Sequence, residues 1–341
     1  MPAMVVVFGP NLAVDRVLDV PGFRAGGVFR TGHTRVVAGG KGANVARALR
    51  ALGVDVHLVG FVAGWTGRFI RESLADEGIP ATLIEVGGLS RTCTLLVDPS
   101  RGQATVVNEE GELTVREVDI ARLLHGLAAL APQARAVTLS GSLPPAVPDD
   151  LYARVIRQAH AAGVPTILDT SGRPLQHGLA AGPWLVKPNR SELLQLLSLI
   201  DARHPGAAAM PVEPAVDLGP SGDEGTVASA ARRLLAYGVT CAVVSMGAAG
   251  ALAVTSDGTW LARAPAVRVT NPIGAGDSMV AALAEGVAWG RRLPEMLRRA
   301  VAAGSADVAT FGPGVIDRDE VERLAAAVEP VPLAAGVGPP A

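Results

Sequence analysis

Lysine is almost missing from this chain. Of its 30 basic side chains only Lys41 and Lys187 are lysine, the rest being arginine. Asparagine is nearly as scarce, limited to Asn11, Asn44, Asn108, Asn189 and Asn271. A sequence so biased toward arginine keeps lysine where a compact, flexible ammonium is wanted. Both lysines and most of the asparagines fall inside Gly- or Pro-marked motifs, which chance retention would have to place there by accident. Cysteine is limited to Cys93 and Cys241, each in an apolar or β-branched run. Two such residues read as core filler rather than a disulfide or metal pair.

Other absences exclude whole classes of function. The formal net charge is −2, so no basic excess exists to neutralise the phosphates of a nucleic acid. Hydrophobic residues make up 49% of the chain, but in short runs broken by Gly, Pro and charge. None reaches the roughly 20 apolar residues of a spanning helix, and no membrane association is expected. Met1 leads directly into the strand-like Met4-Val5-Val6-Val7-Phe8, with no charged region followed by a cleavage site, so a cytoplasmic location is expected. No Gly-x-x-x-x-Gly-Lys-[Ser/Thr] occurs, which removes Walker-type phosphate loops. No Gly-x-Gly-x-x-Gly follows the first strand, which speaks against a hydride-transferring dinucleotide enzyme.

What is present alternates. Strand-like runs at Val5–Phe8, Val56–Val59, Ala136–Ser140, Thr166–Asp169, Trp184–Lys187, Ala242–Ser245 and Ala251–Thr255 are separated by helical patterns. Those patterns are Ala43–Leu52, Thr66–Glu77, Asp149–Ala162, Ser191–Leu199, Thr226–Tyr237 and Asp277–Trp289, with Leu293–Thr310 and Arg318–Val328 closing the chain. Alternation of this kind predicts an α/β fold with a mostly parallel sheet covered on both faces. In 341 residues it leaves room for one large core or two modest ones. Arg16–Val37 and Leu89–Val107 instead read as short alternating strands, too short to stand alone. They are expected to form a small β-sheet serving as a lid, or else a plain extension of the main sheet. Residues 201–224, rich in Ala, Pro and Gly, read as an inserted surface loop. The tail over 331–341 is expected to be disordered.

Four motifs carry chemistry. Asn271-Pro-Ile-Gly274-Ala275-Gly276-Asp277 opens an apolar helix. Backbone N–H groups converge at such a helix start, making an anion hole for a phosphate in transfer. Asp277 sits in the same field, which is expected to lower its pKa and keep it ionised, ready to accept a hydroxyl proton. The plainer alternative is an ordinary Asp after a Gly turn. Ala38-Gly39-Gly40-Lys41-Gly42-Ala43-Asn44 lets backbone approach a ligand closely, with Lys41 and Asn44 offering groups to hydroxyls. Lys187-Pro188-Asn189-Arg190-Ser191-Glu192 starts a helix with Asn189 and Glu192 on one face. That pair suits water-mediated Mg²⁺ binding, or simply a capping box. Ser245-Met246-Gly247-Ala248-Ala249-Gly250 is a turn that either contacts a nucleotide or only reverses the chain.

Taken in order, these four resemble the ribokinase-like (pfkB-type) carbohydrate kinases, from about residue 5 to about 325. Pro10-Asn11, Asp15-Arg16, Ser90-Arg91-Thr92, Asn108-Glu109, Ser140-Gly141-Ser142-Leu143-Pro144 and Asp169-Thr170-Ser171-Gly172 resemble the phosphosugar branch, with its 1-phosphofructokinases and tagatose-6-phosphate kinases. The resemblance implies a three-layer αβα fold with a β-sheet lid, an ATP-dependent reaction with Mg²⁺, and a monovalent cation as a further candidate. It implies that Asp15, Gly39, Gly40, Lys41 and Asn44 hold the sugar, and that Arg91, Ser142, Ser140 and Arg30 hold its existing phosphate. Lys187 and Asn189 would lie at the ATP phosphates, Glu192 with Asp169 would organise Mg²⁺, and Ser245, Gly247 and Gly250 would line the nucleotide site. Arg91 makes sense without the analogy, since a planar fork suits a phosphate dianion. The chain departs from many relatives at Pro272, where they carry Thr, at Gly27 and Phe29 before Arg30, and at Gly9. A homodimer is expected through the exposed strands of the lid. Two rival readings are a kinase for an unphosphorylated sugar or nucleoside and a degenerate, sugar-binding regulator.

Overall fold

Val5, Val6, Val7 and Phe8 are all fully buried, as a strand covered by helices on both faces requires. They lie in β1 (Met4–Asn11), the first element of the computed structural model, which describes residues 4–145, 147–203 and 224–333. After β2 (Ala13–Asp19) and β3 (Thr34–Gly39) come α1 (Lys41–Ala51), β4 (Asp55–Val62), α2 (Gly64–Asp76) and β5 (Ala81–Glu85). The chain continues through β6 (Arg91–Asp98), β7 (Gln103–Asn108), α3 (Glu117–Leu130), β8 (Ala134–Ser140), α4 (Leu151–Ala161) and β9 (Thr166–Asp169). Then follow α5 (Gly172–Leu179), β10 (Leu185–Val186), α6 (Arg190–Arg203), α7 (Glu224–Arg232), β11 (Cys241–Ser245), β12 (Ala251–Thr255) and β13 (Gly258–Ala262). Finally α8 (Ala275–Ala288), α9 (Leu293–Val308) and α10 (Arg318–Ala326) precede β14 (Val331–Pro332).

The main sheet runs β14-β13-β12-β11-β10-β9-β8-β1-β4-β5. The strands from β5 through β11 pair in parallel, and β12 to β14 add an antiparallel margin. Period-two alternation divides the apolar side chains between two cores. Val5 and Val7 face α1, α2, α8, α9 and α10. Val6 and Phe8 face α3 to α7. This is the three-layer α/β architecture expected from the alternation, and both cysteines are buried and free in it. The parallel order brings the C-terminal ends of β1, β8, β9 and β10 side by side, the crevice where open α/β sheets place their ligands.

A separate four-stranded sheet, β3-β2-β6-β7, accounts for the two segments that broke the rhythm. Its inner face carries Ala13, Val17, Cys93, Leu95 and Val97, packed on Ile273 and Phe311 of the main body. A row of residues in register, Val37, Asp15, Cys93 and Asn108, crosses that face. The adjacent row, which includes Val36 and Val107, points the other way and leaves those two valines 43% and 58% exposed.

Several elements were not expected. Helices α3 and α5 and strands β5 and β13 belong to stretches that read as connections. The helical pattern 226–237 divides into α7 and a tighter turn at Arg233–Tyr237, ended by Gly238 at φ 80°. The expected disordered tail instead begins with β14, whose Val331 pairs with Leu261. Residues 204–223 of the expected surface insertion, and 334–341 of the tail, lie outside the described residues. Among the described residues, no helix is long and apolar enough to cross a membrane.

Candidate active site

The N-terminus of α8 reaches the crevice through a turn that only glycine can make. Gly274 caps the helix at φ 107° and ψ −21°. A Cβ there would lie 2.5 Å from Asp307 Oδ2 and 2.7 Å from Pro313 Cα. Buried Asn271 braces the turn: its Nδ2 donates to the Phe311 carbonyl at 3.0 Å, and its Oδ1 accepts from the Ile273 amide at 3.0 Å. The amides of Asp277 and Ser278 bond back to the Gly274 carbonyl, leaving those of Ala275 and Gly276 ahead of the first intrahelical bonds. The segment anticipated as an anion hole is thus a helix start with two amides outside the intrahelical bonds.

Asp277 follows directly, 6% exposed. Asn44 Nδ2 donates to its Oδ2 at 2.9 Å, and Lys41 Nζ stands 3.7 Å from its Oδ1. Its pKa differs in direction from the expectation. Burial pushes the carboxyl above the ordinary range and the Asp169 charge adds to that, while Lys41, Asn44 and Lys187 oppose. The helix N-terminus therefore does not dominate; withdrawal from water does.

The two lysines of the chain converge on one carboxylate. Asp169, at the end of β9, accepts from Lys41 Nζ at 2.8 Å through Oδ2, and Lys187 Nζ lies 3.1 Å from Oδ1. Burial would raise the Asp169 pKa, but Lys187 and Lys41 outweigh it and hold the group ionised, below its usual range. Lys41 opens α1, where the helix dipole disfavours a cation. Burial also opposes its charge, yet Asp169 and Asp277 overcome this and raise its pKa. Lys187, 3% exposed, places Nζ 3.5 Å from where a Gly276 side chain would begin. Its ammonium thus lies against the Gly274–Gly276 turn.

Asp15 hangs from the inner face of the small sheet, 4% exposed. It accepts from the Gly40 amide at 3.4 Å. Burial pushes its pKa up to about 6, with the Gly40 amide, Arg47 and Arg91 pulling the other way. Glycine at 39 leaves room for this carboxylate: a Cβ there would fall 1.9 Å from the Asp15 carboxyl carbon and displace it. Arg91 begins β6 beside Ala13, and its buried Nε has no hydrogen-bond partner among the described residues. Ser140, next to Asp169 in the β8–β9 register, likewise has a buried Oγ without one. Ser142 Oγ accepts from Asn11 Nδ2 at 3.0 Å. Arg30 stands apart: it is exposed, in the irregular stretch between β2 and β3, and makes no hydrogen bond or ion pair among the described residues.

At the start of α6, the Asn189 amide donates to Glu192 Oε2 at 2.8 Å and the Glu192 amide donates to Asn189 Oδ1 at 2.9 Å. This is the reciprocal capping box, the plainer of the two alternatives. Asn189 also bridges Ser245 across the sheet, so the Lys-Pro-Asn segment adjoins the turn containing Gly247 and Gly250. That turn is closed by the Met246 amide donating to the Gly250 carbonyl at 2.8 Å. Asp169, expected with Glu192 to organise Mg²⁺, pairs with the Lys41 and Lys187 ammonium groups. Among the described residues no group of three or more His, Cys, Asp or Glu is disposed to hold a metal.

Three supporting side chains had no role assigned from the sequence. Asn11 orients Ser142, buried Tyr152 donates to the Gly141 carbonyl at 2.9 Å, and Arg47 binds Asn44 through Oδ1 at 3.1 Å. Arg47 was within reach of a sequence argument, since it lies three residues beyond Asn44 on one helix face.

Comparison with known proteins identifies the family of the chain. The model of the pfkB family carbohydrate kinases matches residues 2–318. The 1-phosphofructokinase of Rhodobacter capsulatus is 34% identical over 319 residues, covering 93% of this chain and 94% of that protein. A tagatose-6-phosphate kinase of Staphylococcus epidermidis is 29% identical over 328 residues, covering 96% and 99%. Phosphofructokinase-2 from Escherichia coli, solved with substrates and products, superposes with a TM-score of 0.83 at 28% identity over 95% of this chain and 99% of that one. The resemblance carried by the four motifs is therefore borne out over the length of the fold, and the chain belongs to the pfkB family of carbohydrate kinases.

Proposed function

We propose that this kinase transfers the γ-phosphoryl group of ATP to a phosphorylated ketohexose, giving a bisphosphate, with Asp277 as the base. The observation that carries the reading is a buried carboxylate at the start of α8, beside the unspent amides of Ala275 and Gly276 and within reach of Lys41 and Asn44. As the sugar oxygen attacks phosphorus, its proton passes to Asp277 and the bond to the ADP oxygen breaks. A carboxyl whose pKa is raised by burial is the better proton acceptor for that step. The amides and Lys187 hold the charge of the group in transit.

Asp15, Gly39, Gly40, Lys41 and Asn44 would hold the sugar hydroxyls, and Ser245, Gly247 and Gly250 would line the nucleotide. Mg²⁺, when bound, neutralises the ATP phosphates. Glu192 fits it through water, because Oε1 is left without a hydrogen bond among the described residues once Oε2 is capping. Asp169 serves it indirectly, by fixing both lysines. The small sheet acts as a lid, and its outward valines, Val36 and Val107, would meet those of a second copy. The dimer this implies is expected as a doubled mass in light scattering at micromolar concentration, and a monomer there would rule it out.

The acceptor's own phosphate would lie at Arg91, Ser140 and Ser142; the buried Arg91 Nε and Ser140 Oγ have no hydrogen-bond partner among the described residues. Fructose 1-phosphate ranks first, in keeping with relatives of that specificity, followed by fructose 6-phosphate and tagatose 6-phosphate. Arg91→Ala is expected to raise the KM for the sugar phosphate at least tenfold, about the worth of one charge-assisted hydrogen bond. The KM for ATP should stay nearly constant. Equal rises in both constants would remove Arg91 from the phosphate site.

A further inference from the structure

Arg47 is 8% exposed and spends its whole guanidinium on four separate parts of the fold. Nε and Nη2 bind the Glu77 carboxylate, the latter at 2.9 Å. Nη2 also donates to the Ala38 carbonyl at 2.6 Å, at the root of the small sheet, and Nη1 to the Pro313 carbonyl at 3.2 Å. Nη1 donates in addition to Asn44 Oδ1 at 3.1 Å. The amide end of that same carboxamide donates to Asp277.

We infer that Arg47 is a positioning residue for the base: by occupying the oxygen of Asn44, it fixes the carboxamide so that Nδ2 faces Asp277. The inference rests on the reading of Asp277 as the base. A guanidinium only donates and an ionised carboxylate only accepts, so a carboxamide between them satisfies both in one orientation. The flipped amide would set oxygen against carboxylate and NH₂ against guanidinium. Glu77 keeps the guanidinium from following such a flip, and the Ser73 hydroxyl completes the clamp by accepting the Ala38 amide at 2.8 Å.

The consequence is a pH effect. Asp277 is faced by Lys41 and Lys187, which favour its ionised form, and by Asp169, which opposes it. Asp15 and Asp307 couple to it as well, with the same sign as Asp169. The Asn44 amide is thus one of few groups stabilising the charged base. Freed from Arg47, Asn44 can turn its oxygen to a protonated Asp277 and stabilise the acid instead. The base then needs a higher pH to ionise, and the acid limb of the rate profile moves upward.

Single-turnover rates with fructose 1-phosphate, ATP and Mg²⁺, measured across pH at saturation, test this. Arg47→Met and Asn44→Ala are each expected to move the acid limb up by about 1 pH unit, the size of one hydrogen bond to a carboxylate. The double variant should move it no further, because both changes remove the same contact. Glu77→Gln, which loosens the guanidinium without deleting it, should shift the limb in the same direction by less, and serves if Arg47→Met does not fold. An unmoved limb in either folded variant, or additive shifts in the double, overturns the inference. Asp277→Asn measured alongside separates the two readings. If it retains turnover with the wild-type limb, the base assignment fails; if it loses turnover while the Arg47→Met limb is unmoved, only the role of Arg47 fails.

Discussion

Asp277→Asn is expected to cut turnover by about 10² to 10⁴ while leaving ATP and sugar binding within a few-fold, the signature of a lost general base. The substitution keeps size and shape, so the packing around α8 survives, and the Gly274–Gly276 turn does not depend on the side chain. What disappears is an acceptor for the sugar hydroxyl proton. Binding should hold because Lys41 stays anchored by Asp169 at 2.8 Å and the proposed anion hole would be made of backbone amides. Initial rates and calorimetric titration of both substrates distinguish the outcomes. Turnover within threefold of wild type would show that the proton goes elsewhere. A matching loss of sugar affinity would show that Asp277 binds rather than activates.

Much of this site is legible in the sequence because its residues sit where the fold changes period, from strand to helix, and such junctions need Gly, Pro and Asn for backbone reasons. The scarcity of lysine was itself informative: Lys41 and Lys187, far apart in the chain, meet on Asp169. Other features depended on depth, which a sequence does not display. Asp277 was expected to have a lowered pKa from its helix position, but burial reverses the sign. Glu192 was read as facing a metal or capping its helix, and the reciprocal bonds with Asn189 show the cap, which engages only Oε2 of its carboxylate.

The overlooked elements have local explanations. Helix α5 spans eight residues containing Gly172, Pro174 and Gly178, so its composition argues for a turn until packing overrides it. Strand β5 is a five-residue edge after Pro80. Helix α3 buries Ile120, Leu123 and Leu127 at helical spacing, and β13 follows an Asp257-Gly258 turn signal. Both were readable. The segment Val331–Pro332 gains its strand only by pairing with β13, a tertiary cause with no local signature.

The account stands or falls on the acceptor. A dianionic phosphate at Arg91, Ser140 and Ser142 would form at least two charge-assisted hydrogen bonds in a closed crevice, each worth about 1.5–3 kcal/mol. A free sugar forgoes them and leaves the buried Arg91 Nε unpartnered. Specificity constants for fructose 1-phosphate, fructose 6-phosphate, tagatose 6-phosphate, free fructose and free ribose, measured by ADP release with ATP and Mg²⁺, settle the matter directly. The best phosphosugar is expected to exceed both free sugars by about 10² to 10⁴, as two such bonds require. A higher specificity constant for free fructose or ribose than for all three phosphates would contradict the assignment.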